Sequence, residues 1–209
     1  MVRVEAACLA LAGDAGLVVP AFRVETFGRH AALLIERFDI TEQGSRFQVL
    51  SMQTLLGAEG FYRLGYADLE DVLRLVSRRP EADIPALYRQ MVFNAIIGNT
   101  DDHLKNFALL HDGMGWRLTP AYDLTPDVLL RGEYVLHFGA AGHRPDVGAL
   151  ADMAGAFGLS RPRSRCLIDE VSAAVASWHV RFDEQEVGSR DQQRLAPDFE
   201  RRLRSGLRV

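Results

Sequence analysis

The sequence predicts an α+β fold, a small β-sheet near the start followed by a mostly helical body, on three observations. Two short apolar stretches, PAFRVETFG and HAALLIERFDI, meet at a turn containing Gly28 and read as paired strands. In DIPALYRQMVFNAIIG the residues Ile84, Leu87, Tyr88, Met91, Val92, Ala95 and Ile96 recur at steps of three and four, as in a helix buried on one face. FALLHDGMGWRLTP sets two apolar segments around Asp112-Gly113 and Gly115, the composition of a hairpin.

In chain order, VEAACLALAGDAG is a first helix that ends near Gly16, and the two strands follow it. SRFQVLSMQTLLG finishes a third strand and starts a short helix at Ser51. ADLEDVLRLVSRR is a helix with Asp68 as its expected cap. In the long apolar helix Pro85 suits the first turn and Gly98 the C-terminal cap. Phe107 to Leu110 and Trp116 to Thr119 form the hairpin, and YVLHF is a further short strand. Helices are expected around Asp146 to Phe157, Arg163 to Phe182 and Asp191 to Arg204, the last polar enough to fray. No internal repeat or low-complexity linker interrupts the chain.

With 209 residues, 48% of them hydrophobic, the chain suits one medium domain or two small lobes around a real core. Its net charge of −4 provides no overall field for holding nucleic acid, and the tail RRLRSGLR reads as a solvated helix end; no direct nucleic-acid binding is expected. No stretch approaches the length of an apolar membrane span. The start carries Glu5 and Asp14 where a secretory leader has basic and then long apolar segments, so a cytoplasmic location with no membrane contact is expected. Cys8 and Cys166 lie far apart in apolar helical stretches and read as buried thiols. His111, His137, His143 and His179 show no ligand spacing.

Chemistry concentrates in NTDDHLKN, Asn99 to Asn106, directly after the apolar helix. Of the 24 basic residues 23 are arginine, and the one lysine, Lys105, stands in this segment, where a compact ammonium differs from a planar guanidinium beside a phosphate oxygen. An Asp followed five residues later by an Asn, with another Asp after the next hairpin, is the set of parts used in phosphoryl transfer. Asp101 would accept or orient the attacking hydroxyl, Asn106 and Asp123 would hold Mg²⁺ through oxygen, Lys105 would neutralise the transferring phosphoryl, and His103 would bond phosphate or fix the loop. Two other readings stand beside this one: a cluster of turn and cap residues, and a hydrolase metal site made of Asp101, Asp102, His103 and Asp123. Asp102 could replace Asp101 as the base, but only Asp101 gives the D-x-x-x-x-N interval.

IGNTDDHLKNFALL followed by WRLTPAYDLTP resembles the catalytic core of the HipA-type serine/threonine kinases, the toxins of HipA–HipB toxin–antitoxin pairs. The resemblance extends back through Glu5 with CLALAGDAGLVVP and through ALLIERFDI, and loosens after about Gly139. It implies a protein-kinase-like fold, with residues 1–60 as an N-lobe remnant carrying the hinge and 61–209 as a helical C lobe. It further implies Asp101 as the catalytic acid-base, His103 to Asn106 as the ATP-contacting loop with Lys105 in a catalytic role, Asn106 and Asp123 as magnesium ligands, and Tyr122 as a nucleotide contact. Glu36, Arg37 and Phe38 match the hinge that meets adenine through backbone groups and an apolar slot.

The family's phosphate-binding loop and strand lysine have no counterpart in these residues, so the chain by itself is expected to transfer phosphate poorly. The resulting expectation is a truncated kinase domain that binds Mg-ATP and phosphorylates a protein on serine or threonine, completed by a chain supplying the N-terminal lobe. The alternative is a pseudokinase-like nucleotide- or protein-binding module without turnover. Partners implied by the resemblance are a HipB-like helix-turn-helix antitoxin and, as acceptor in relatives, an aminoacyl-tRNA synthetase for glutamate.

Overall fold

Eight α-helices and two small antiparallel sheets make up the computed structural model, which describes residues 1–41, 43–127 and 133–206. Helix α1 (Val2–Asp14) buries Ala6, Ala7, Cys8 and Ala12, small side chains that let other helices approach closely, together with Leu9 and Leu11. Strands β1 (Phe22–Phe27) and β2 (His30–Ile35) pair from Phe22 opposite Ile35 to Phe27 opposite His30, around Gly28 at φ 60°.

The third strand lies outside that hairpin. β3 (Gln48–Ser51) pairs with β4 (Ala108–His111), which pairs with β5 (Trp116–Leu118) in a separate sheet ordered β3-β4-β5. The division at residue 60 falls between α2 (Met52–Leu55) and α3 (Tyr66–Val76), and β3 and α1 reach across it, β3 to β4 and α1 to the later helices α6 (Arg161–Ala176) and α7 (Trp178–Glu184).

Helix α3 starts two residues ahead of the expected cap. Gly65 takes the cap position, and Asp68 works from inside the first turn, accepting from the Gly65 N–H at 2.7 Å. Gly65 is needed there because a Cβ would meet the His137 carbonyl oxygen at 2.5 Å.

Helix α4 (Pro80–Ile97) begins at Pro80 and not near Pro85, which lies inside it. Expected to bury one face, it is buried all round from Gln90 to Ile97, because α3, α6, β5 and the last helix α8 (Ser189–Gly206) surround it. Gly98 ends α4 at φ 74°, and a Cβ there would lie 2.9 Å from Arg202 Nε. Gly98→Ala is expected to cost about 1–3 kcal/mol in denaturant unfolding, from left-handed strain and this contact.

The segment Tyr134 to Phe138 is not a strand. Tyr134 N–H donates to His143 O at 3.0 Å, Val135 and Leu136 donate to the Asp102 carboxylate, and Phe138 donates to Gly142 O at 2.8 Å, while His137, donating to Leu64 O at 3.2 Å, makes only an isolated bridge with Gly65. Residues 146–157 form α5 (Val147–Asp152), capped by Asp146, and then a 3₁₀ turn. The single helix expected over 163–182 is two, α6 and α7, which meet at Ser177, where the Ser177 hydroxyl donates to Ala174 O at 2.8 Å.

Helix α8 is anchored where fraying was expected, since Leu195 and Phe199 are buried and the Phe199 ring stacks on Trp178 at 5.2 Å. Cys8 is buried as expected, but Cys166 is exposed. The buried stripe of α6 runs through Ser164, Leu167, Ile168, Val171 and Val175, and Cys166 lies off it, donating to Glu170 Oε1 at 3.0 Å. No helix among the described residues is long and apolar enough to cross a membrane.

Candidate active site

The loop from Asn99 to Asn106 emerges from the buried end of α4 and is held from beneath by Asp102. That residue is fully buried; Tyr66 Oη donates to it at 2.9 Å, Val135 N–H at 2.8 Å and Leu136 N–H at 3.3 Å. Burial pushes the Asp102 carboxyl up to about 8, against the pull of these three donors. Asp102 is therefore a buried anchor, and the metal set of Asp101, Asp102, His103 and Asp123 does not assemble, because Asp102 spends its oxygens inward.

Asp101 has the opposite environment, with 64% of its side chain exposed. One carboxylate oxygen, Oδ1, lies 2.8 Å from His103 Nε2, and its backbone carbonyl accepts from Asn106 Nδ2 at 2.9 Å. With its nitrogen committed in this way, Asn106 keeps Oδ1 as the free acceptor. His103 Nδ1 lies 3.5 Å from Tyr62 Oη, which accepts from Leu104 N–H at 3.4 Å. With its ring proton on Nε2, His103 can donate to Asp101 and accept from Tyr62, which completes a row running from Leu104 through Tyr62 and His103 to Asp101. Lys105 is exposed and opens, with His103, Phe61, Tyr62, Val135 and His143, onto a cavity of about 530 Å³.

The second motif meets the first through the backbone. Tyr122 Oη donates to Lys105 O at 2.9 Å, and burial together with the Asp123 charge pushes the phenol up to about 12, so it remains a donor. Asp123 adopts a left-handed φ of 56°, a conformation that Asp tolerates better than most residues, and Asn99 Nδ2 donates to its carbonyl at 3.3 Å. The Tyr122 ring stacks against Phe38 with centroids 5.8 Å apart, which joins the predicted hinge to the loop. Glu36 and Arg37 are exposed; the Glu36 N–H bonds Ala21 O at 2.8 Å, and the Arg37 guanidinium is committed to Asp39 at 2.8 and 2.6 Å.

Several contributors were not assigned a role from sequence. Glu5 of α1 lies close enough to Asp123 that its carboxyl is raised, first by burial and then by that charge; an acid amid apolar VEAACLALAG was the available signal. Asn94 donates to Tyr66 Oη at 3.1 Å and accepts from Asn99 at 3.2 Å, which links Asp102 to the Asp123 backbone through the core. An Asn in the apolar run VFNAIIG marked it. Tyr62 carried no signal of its own.

The small sheets and mostly helical body make a kinase-like fold, in which Phe38 of the predicted hinge lies against Tyr122 beside the loop. Residues 1–178 match the model of the HipA-like C-terminal domain, and the chain belongs to that family. Its fold is that of HipA from Shewanella oneidensis MR-1, solved with HipB and operator DNA, at a TM-score of 0.78 and 21% identity over all of this chain and 56% of that one. The Helicobacter pylori proinflammatory kinase CtkA has a TM-score of 0.68 at 12% identity, over 98% of this chain and 81% of that one. Two Sinorhizobium fredii proteins are similar in sequence: "Putative kinase Y4mE", 41% identical over 63 residues (30% of this chain, 15% of that protein), and "Putative kinase Y4dM", 33% over 95 residues (44% and 23%). The matched segments thus span less than a quarter of either curated relative.

Proposed function

We propose that the chain is the nucleotide-binding and phosphate-transferring part of a HipA-like protein kinase, with a serine or threonine of a protein as acceptor. The observation that carries this reading is the stack of Phe38 on Tyr122, whose hydroxyl is tied to the backbone of Lys105. The stack sets Phe38 beside the loop and the second motif, which supports a reading in which adenine lies along the Glu36–Phe38 segment and its phosphates point toward Lys105.

The donor set fits a hard divalent cation. Asp123 and the free Oδ1 of Asn106 would be its oxygen ligands, with the Glu5 carboxyl near Asp123. Mg²⁺, when bound, would neutralise phosphate charge. The protein's own groups account for the rest. Asp101 keeps Oδ1 against His103, and its second oxygen can take the acceptor's proton. The acceptor oxygen bonds to the γ-phosphorus as the bond from that phosphorus to ADP breaks. Lys105 compensates charge on the transferring group, and the cavity beside it has the size of a site for the acceptor segment. A HipB-like antitoxin as partner and an aminoacyl-tRNA synthetase for glutamate as acceptor belong to this same reading.

A pseudokinase-like nucleotide- or protein-binding module without turnover is the second reading. Thermal unfolding with ATP, with and without Mg²⁺, tests the shared core of both. At about 100 times Kd, Mg-ATP is expected to stabilise the wild type by roughly 2.7 kcal/mol, and Asp123→Ala is expected to abolish the gain. A folded wild type that shows no magnesium-dependent shift would sink the proposal.

A further inference from the structure

We infer that Arg202 of α8 is a positioning residue for the Asn99–Asn106 loop, so that α8 acts as a latch on the candidate active site. Helix α8 lies beyond residues 1–178, the part that matches the family, yet Arg202 reaches inward with only 11% of its side chain exposed. Nη1 donates to Ala95 O at 3.1 Å and to Tyr134 Oη at 2.6 Å, and the guanidinium lies 5.7 Å from the centroid of the Tyr134 ring. Asp198, one turn earlier, holds Nε at 2.6 Å.

These contacts fall on the two segments that fix the loop. Ala95 O belongs to the last turn of α4, whose carbonyls the helix leaves without partners, and it receives Tyr134 Oη at 2.8 Å as well as Arg202. A cation at this C-terminus also complements the helix dipole. Gly98, the cap residue between α4 and the loop, lies directly under the Arg202–Asp198 pair, where a Cβ would meet Asp198 Oδ2 at 3.0 Å. On the other side, Tyr134 leads into Val135 and Leu136, whose N–H groups grip Asp102. One guanidinium thus ties the segment entering the loop to the segment that holds it from beneath. Its loss should loosen both together.

The loop-holding role stands without any nucleotide; its consequence for catalysis rests on the proposed function. The test is amide hydrogen exchange, read by mass spectrometry on the ligand-free full chain, for Arg202→Met, Arg202→Lys and Asp198→Asn. In Arg202→Met, amides of 99–106 and 134–137 are expected to exchange about tenfold faster while those of α1 and α6 keep their rates. Arg202→Lys, which keeps the charge but not the fork, should fall between. Should Arg202→Met fail to fold, the other two variants carry the same selective expectation. Uniform acceleration across the chain, or no change in the loop, would overturn the inference by reducing Arg202 to general packing. A second arm reads the thermal shift with Mg-ATP: a smaller shift in Arg202→Met than in wild type supports coupling to the site, and an unchanged shift overturns that coupling. If Mg-ATP shifts no variant and not the wild type, the proposed function fails, whereas the exchange pattern still decides the latch.

Discussion

Replacing Asp101 by Asn is expected to lower phosphate transfer by about 10²- to 10⁴-fold while leaving Mg-ATP affinity within about twofold of wild type. The asymmetry follows from how Asp101 is held. The bond from Asn106 goes to its backbone carbonyl, which the substitution leaves in place, and an amide oxygen can still accept from His103 at the 2.8 Å separation of that pair. Only the capacity to take a proton is lost. Initial rates of ³²P transfer to an acceptor, under conditions in which the wild type turns over, alongside nucleotide binding by calorimetry, check both halves. A variant that loses binding as much as rate would mean that Asp101 holds the nucleotide and does not serve the acceptor hydroxyl.

Asp102→Ala is expected to have the largest effect on stability, about 3–5 kcal/mol, because it strands a buried tyrosine hydroxyl and two backbone N–H groups. Asp102→Asn should cost about 1–2 kcal/mol, since its oxygen still serves Val135 and Leu136 while Tyr66 loses its acceptor. Burial raises the folded carboxyl to about 8, above its unfolded value. The folded state therefore binds the extra proton, and the associated stability is complete below the ordinary carboxylate range and is lost as pH climbs through about 8. Urea unfolding at about pH 5 and about pH 8.5 should show the wild type losing part of its advantage over Asp102→Asn at the higher value. An advantage that grows with pH would mean that the three donors outweigh burial and keep Asp102 ionised.

These two neighbours also mark where reading the sequence ran out. The helix and hairpin around the loop were legible because apolar steps of three and four and the Asp112-Gly113 turn are local signals. That one of two adjacent acids turns inward was not, since its partners Val135, Leu136 and Tyr66 lie more than thirty residues away in the chain. The loop proved to be partly a structural polar cluster after all, through Asp102, with Asp101, His103 and Lys105 left at the surface. The same limit bears on Tyr134 to Phe138, where the distant Asp102 carboxylate takes two N–H groups and sheet pairing is reduced to one isolated bridge of His137 with the distant Gly65. Helix α4 was misjudged in the other direction, because periodicity detects the first buried face and says little about a helix enclosed on every side.

The exposed position of Lys105 has a practical side. As the one lysine among these 209 residues, it makes lysine-directed reagents report on a single position within them. Within these residues a lysine-specific protease has one place to cut, immediately beside Asn106. Protection of that one bond, or of that one amine, by a bound nucleotide would be readable on a gel or by intact mass without any engineered probe, so the composition of this chain has left a native reporter in the middle of its candidate active site.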